Sequence, residues 1–89
     1  MISTVETPGF KRAFKKLVKG RPDMSRVFRE KLAVFLSNPY HPSLQTHKLH
    51  GRLKRSLAFS LTDDLRVVFS FLTSDVVSLE DIGTHDEVY

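Results

Sequence analysis

The hydrophobic period changes once along this chain, and that change limits what it can fold into. Phe10, Phe14, Leu17 and Val18 recur at i, i+4, i+7 and i+8, and Phe28, Leu32, Phe35 and Leu36 repeat the spacing. This is the period of two helices, each with one apolar stripe. From Leu57 onward apolar residues alternate with small or polar ones, the period of strands. Thr7-Pro8 opens the first helix, as a cap followed by a proline at the first helical position. Gly20 closes it, and Asn38-Pro39 ends the second, which begins near Asp23. The short link between the two predicts an antiparallel helical hairpin.

Ile2–Glu6 is a short β-branched run that reads as a first strand. Residues 39–56 read as a loop leading into the sheet. Leu57, Phe59 and Leu61 alternate in the next strand, and Thr62-Asp63-Asp64 supplies a turn. Leu65–Leu72 follows as an apolar strand, Thr73-Ser74-Asp75 turns again, and Val76–Ile82 is the last strand. The expectation is a single α+β domain over 1–89, ordered β-α-α-β-β-β, with the hairpin packed on a small, twisted, mostly antiparallel sheet.

Charge is distributed unevenly. The net charge is +4, and 13 of the 14 Lys and Arg residues precede residue 56, whereas seven of the 10 acids follow residue 62. Such asymmetry points to a polyanionic partner for part of the surface. The lysines before residue 32 are explained by helix spacing alone. With no cysteine in the chain, disulfides and thiolate metal sites are excluded. No apolar run approaches the ~20 residues that span a bilayer, and no secretory leader is read at the start, so a cytoplasmic location without membrane contact is expected.

Three segments carry candidate chemistry. Thr46–Arg55 contains His47, Lys48, His50, Arg52, Lys54 and Arg55 and no acid, a stripe suited to a phosphate backbone. Arg66 interrupts the apolar strand on the face of Val68 and Ser70, opposite Leu65, Val67, Phe69 and Phe71. A charge there requires either a cleft or an ion pair with Asp63, Asp64 or an acid of the last strand. In the tail, Gly83 is read as allowing a turn after the last strand that presents His85, and Tyr89 offers a ring to stack on a base.

Cleavage of RNA without a metal needs a base for the 2′-hydroxyl, cations for the phosphoryl charge and an acid for the departing 5′-oxygen. His47, Arg66 with Lys48, Arg52 or Lys54, and His85 together meet that requirement. A metal is the competing use of the histidines, but no pair stands at helical i, i+4 spacing with an acid. Neither a metal nor another cofactor is expected.

The strand, helical hairpin and three-strand plan resembles the RelE/ParE toxin superfamily, and His47 to Tyr89 resembles its YafQ-like branch. The resemblance rests on His47-Lys48-Leu49-His50-Gly51, on Asp64 in the turn, on Arg66 opening the central strand, and on Gly83-Thr84-His85 with the terminal aromatic Tyr89. It implies a ribosome-dependent endoribonuclease toxin that cuts mRNA in the A site of the small subunit. His47 is then similar to the base and His85 to the acid, an assignment that the residues themselves leave exchangeable. Asp64 would orient or assist, Arg66 would brace the scissile phosphate, and Lys48, His50, Arg52, Lys54, Arg55 and Tyr89 would hold RNA.

The resemblance also implies a cognate antitoxin, with operator DNA contacted only through the toxin–antitoxin complex. The sequence departs from the pattern in two places. Ser60 stands where YafQ-like enzymes carry another histidine, and Leu65 where an aromatic can follow the turn acid. Those departures imply reduced activity or a greater reliance on Arg66. The alternatives on the same fold are a ParE-like inhibitor of DNA gyrase and a degenerate module that binds antitoxin or nucleic acid.

Overall fold

The computed structural model describes residues 2–49 and 55–88. Strand β1 (Ser3–Glu6) leads into helix α1 (Pro8–Gly20) and helix α2 (Met24–Ser37). A short 3-10 turn (Pro42–Leu44) precedes strand β2 (His47–Lys48). Strands β3 (Leu57–Ser60), β4 (Leu65–Phe71) and β5 (Val76–Thr84) follow, and a single helical turn, α3 (His85–Val88), completes the order. The five strands form one mixed sheet in the order β1-β5-β4-β3-β2, in which only β1 and β5 run parallel.

Two elements extend the architecture expected from the sequence. The two-residue strand β2 lies within the segment read as loop, and it exists because His47 and Lys48 pair with Ala58 and Leu57. A strand this short has no alternation of its own to read. The last strand continues through Gly83 and Thr84, so Gly83 lies within β5 instead of turning the chain after it.

One face of the sheet is covered by the helices. Leu57, Phe59 and Leu61 from β3 and its end, with Leu65, Val67 and Phe69 from β4, are buried beneath Phe10 of α1 and Phe28 and Phe35 of α2. The Phe35 ring lies 4.9 Å from those of both Phe59 and Phe69, edge-on to the latter. Phe14 and Phe28 join the two helices at 5.0 Å. Such ring pairs add about 0.5–1.5 kcal/mol each beyond area burial. The periodic phenylalanines are therefore core residues, as their spacing predicts.

Thr7 ties the start of α1 to the sheet. Its hydroxyl oxygen accepts from the Phe10 amide at 3.0 Å, and the same hydroxyl donates to the Glu80 carbonyl at 3.3 Å. Glu80 is an extra residue in β5: Val68 pairs with Asp81 but Phe69 pairs with Leu79. This bulge moves the buried positions of β5 from Leu79 to Ile82, a spacing of three where a regular strand gives two. The Glu80 carboxylate accepts from the hydroxyls of Ser56 and Ser70, both at 3.1 Å.

Candidate active site

The face of the sheet away from the helices carries Arg66 and His47, the latter level with Ala58, whereas Lys48 is level with Leu57 of the helix-covered face. The middle of the former face is sealed by a second apolar cluster of Leu49, Ala58, Val68 and Val88. One row further along lie Ser60 of β3, Arg66 of β4 and Gly83 of β5, directly paired across three strands. Arg66 thus occupies the central strand on the expected face.

Arg66 does not form the ion pair considered from the sequence. Its Nη1 donates to the main-chain carbonyls of Thr62, Asp63 and Leu65 at 2.9, 3.2 and 3.1 Å. These acceptors are neutral, so they orient the guanidinium without cancelling its charge. That suits an arginine meant to meet a phosphate.

Asp64 sits in the same turn but bonds elsewhere. It accepts from the Thr62 hydroxyl at 2.7 Å and pairs with Arg21, just past α1, at 3.3 Å. The Thr62 hydrogen bond holds its carboxyl below the usual aspartate value; burial opposes it, and the Arg21 charge adds to the lowering. The structure therefore brings Asp64 to Thr62 and Arg21, while Arg66 turns to the carbonyls of the same loop.

His47 and His85 flank the row from opposite sides. His47 lies on the edge strand β2, whereas His85 begins α3 immediately after β5, with β3 and β4 between. The register sets His47 level with Ala58, Val68 and Asp81, whereas His85 follows Thr84, the partner of Leu65, so the two are offset along the strands as well as by three strand spacings across the sheet. The Nδ1–H of His47 donates to the Gln45 carbonyl at 3.0 Å. A carbonyl can only accept, so the neutral ring carries its hydrogen on Nδ1 and its lone pair on Nε2.

His85 is placed by its neighbours. The Thr84 amide donates to Glu87 Oε1 at 2.8 Å, and the Glu87 amide donates to Thr84 Oγ1 at 3.3 Å. This reciprocal Thr-x-x-Glu cap folds the tail into one helical turn, with His85 at its start and Nδ1 3.7 Å from Asp86. The Thr84 amide also holds the Glu87 carboxyl below its ordinary value. Gly83 permits this packing, since a Cβ there would stand 3.2 Å from Glu87 Cβ and 3.0 Å from its Oε1.

Lys48 and Arg55 are exposed beside the edge strand, whereas His50, Arg52, Lys54 and Tyr89 lie outside the described residues. Among the described residues no group of three His, Cys, Asp or Glu side chains gathers to hold a metal, and no helix is long and apolar enough to cross a membrane. Two participants were not singled out from the sequence. The Thr84-x-x-Glu87 cap was legible as a motif, but nothing marked Gln45.

A helical pair on one face of a β1-β5-β4-β3-β2 sheet, with an arginine of the central strand on the other, defines the class: the chain has the fold of the RelE/YafQ-like toxin superfamily. A copper-bound mutant toxin from Helicobacter pylori superposes with a TM-score of 0.82 at 26% identity, over 100% of both chains. YafQ from Escherichia coli gives 0.81 at 16% identity, covering 100% of this chain and 99% of that one, and its structure in complex with DinJ gives 0.75 at 21% with the same coverage. A YoeB/ParE toxin from Agrobacterium tumefaciens gives 0.78 at 12%, over 94% of this chain and 99% of that one. No family model matches the sequence, and no curated protein sequence matches it significantly.

Proposed function

We propose that this chain is the toxin of a toxin–antitoxin pair and acts as a metal-independent endoribonuclease on mRNA in the ribosomal A site. The observation that carries the reading is the layout of the face away from the helices: an arginine oriented by neutral carbonyls lies on a strand between those that carry the two histidines. His47 Nε2 takes the proton of the ribose 2′-hydroxyl, whose oxygen attacks the adjacent phosphorus. Arg66 stabilises the charge that grows on the phosphoryl oxygens. His85, protonated, gives its proton to the departing 5′-oxygen, leaving a 2′,3′-cyclic phosphate and a new 5′-hydroxyl. Lys48, Arg55, His50, Arg52, Lys54 and Tyr89 hold the RNA, and Asp64 supports the turn that holds Arg66.

The fold shared with toxins, one of them solved with DinJ, supports a toxin role and an antitoxin partner. Contact with operator DNA would come through that complex. A protein of 89 residues has little surface with which to align RNA by itself, which supports the ribosome as the template for substrate geometry.

The test is induction of wild type and of His85→Ala in cells, followed by primer extension on an abundant message. In-frame cleavage with wild type only is expected. Growth arrest with intact mRNA and DNA damage would replace this reading with gyrase inhibition. Soluble wild type that neither arrests growth nor cuts mRNA would leave a binding module.

A further inference from the structure

His47 is held by a residue in a costly conformation. Gln45 has φ 50° and ψ 40°, and among the described residues it is the one non-glycine with positive φ. That left-handed region is strained for a side chain and persists only where its surroundings enforce it. Here they do: the Gln45 amide donates to the Pro42 carbonyl at 3.2 Å, closing the 3-10 turn, and Leu44 beside it is fully buried.

The left-handed bend sends two groups of Gln45 to two different strands. Its main-chain carbonyl accepts from His47 Nδ1 on β2 at 3.0 Å. Its side-chain Oε1 accepts from the Ser60 hydroxyl on β3 at 3.1 Å. Ser60 is buried and pairs directly with Arg66. Glycine would suit this backbone better but would offer nothing to Ser60.

We propose that Gln45 is the positioning residue of His47: Ser60 locks the Gln45 side chain, and the Gln45 carbonyl then fixes the tautomer that leaves the His47 lone pair on Nε2. This rests on the reading of His47 as the proton acceptor. The same carbonyl keeps its hydrogen bond when the ring becomes imidazolium, so the base need not reorient after taking the proton.

Long-range ¹H–¹⁵N correlation on the labelled full chain reads which His47 nitrogen bears the hydrogen, independently of any activity. The neutral ring of wild type is expected in the Nδ1–H form. Gln45→Met and Ser60→Ala are expected to shift His47 toward the Nε2–H form that predominates in the unrestrained side chain. They should also lower kcat roughly tenfold with KM unchanged, and move the limb of the pH profile that reports the base. Gln45→Glu retains an acceptor and is expected to keep the wild-type tautomer. Gln45→Gly keeps a main-chain carbonyl but, without the Ser60 hold, is free to leave the left-handed bend, so it should fold readily and still show the shift. A wild-type tautomer in both Gln45→Met and Gln45→Gly overturns the proposal. A shifted tautomer in those variants, with no RNA cleavage by wild type, supports the positioning role and overturns the ribonuclease reading instead.

Discussion

Thr84 and Glu87 cap each other: the Thr84 amide donates to the Glu87 carboxylate at 2.8 Å, and the Glu87 amide donates back to the Thr84 hydroxyl at 3.3 Å. The pair fastens the tail at the end of β5 and sets where His85 begins. It also makes that placement dependent on pH. The Glu87 pKa is lowered in the fold, chiefly by the Thr84 amide, so its contribution is complete above the ordinary glutamate value of 4.5. It is lost as pH falls through the lowered value.

Acidification below that range is therefore expected to loosen α3 before the core melts. Amide hydrogen exchange at residues 85–88 should rise while β4 stays protected, and Glu87→Ala should show the rise already at neutral pH. Uniform exchange across α3 and β4 in that variant would show that the cap does not act locally.

Gly83→Ala should separate activity from stability. The added Cβ would meet Glu87 Cβ at 3.2 Å and Val88 Cγ1 at 3.4 Å, so α3 has to move off β5. The expected cost is about 1 kcal/mol, the low end for overpacking, because a single terminal turn can yield. RNA cleavage is expected to fall much further than the melting temperature, since His85 moves with that turn. Equal activity in the two proteins would count against His85 as the acid.

Arg66→Lys tests the anchored guanidinium. Lysine keeps the charge but cannot reproduce the planar fork that meets both the turn carbonyls and a phosphate. Cleavage by Arg66→Lys should drop by about 10²-fold, the scale for losing one donor to a developing charge, with kcat and kcat/KM falling together. A change confined to KM would assign Arg66 to binding alone.

Phe35→Ala should be the more damaging change to the fold. The ring is fully buried and touches Phe59 and Phe69, so truncation costs about 3–5 kcal/mol. Urea denaturation should show a large fall in midpoint. Leu72→Ala, at a residue 60% exposed, should stay within about 0.5 kcal/mol.

Much of the fold was legible because its signals are local and periodic. Phe10, Phe28 and Phe35 declare the buried sides of two helices, and Thr7-Pro8 declares where the first begins. The alternation from Leu57 to Phe71 declares which side of the sheet the helices cover, and it puts Arg66 on the other. The sequence by itself determined the two helices, the longer strands and the apolar core, and it named the candidates for chemistry. It did not reveal β2, because His47 and Lys48 become a strand only by pairing with Ala58 and Leu57. Nor did it reveal the bulge at Glu80, which alters the spacing of β5 by a register shift between strands. Which partner each candidate finds was also a tertiary matter. Arg66 turns to loop carbonyls, Asp64 to Thr62 and Arg21, and His47 to the carbonyl of a left-handed Gln45. Hydrophobic period is written one residue at a time, whereas a hydrogen bond depends on where two distant lengths of backbone come to rest.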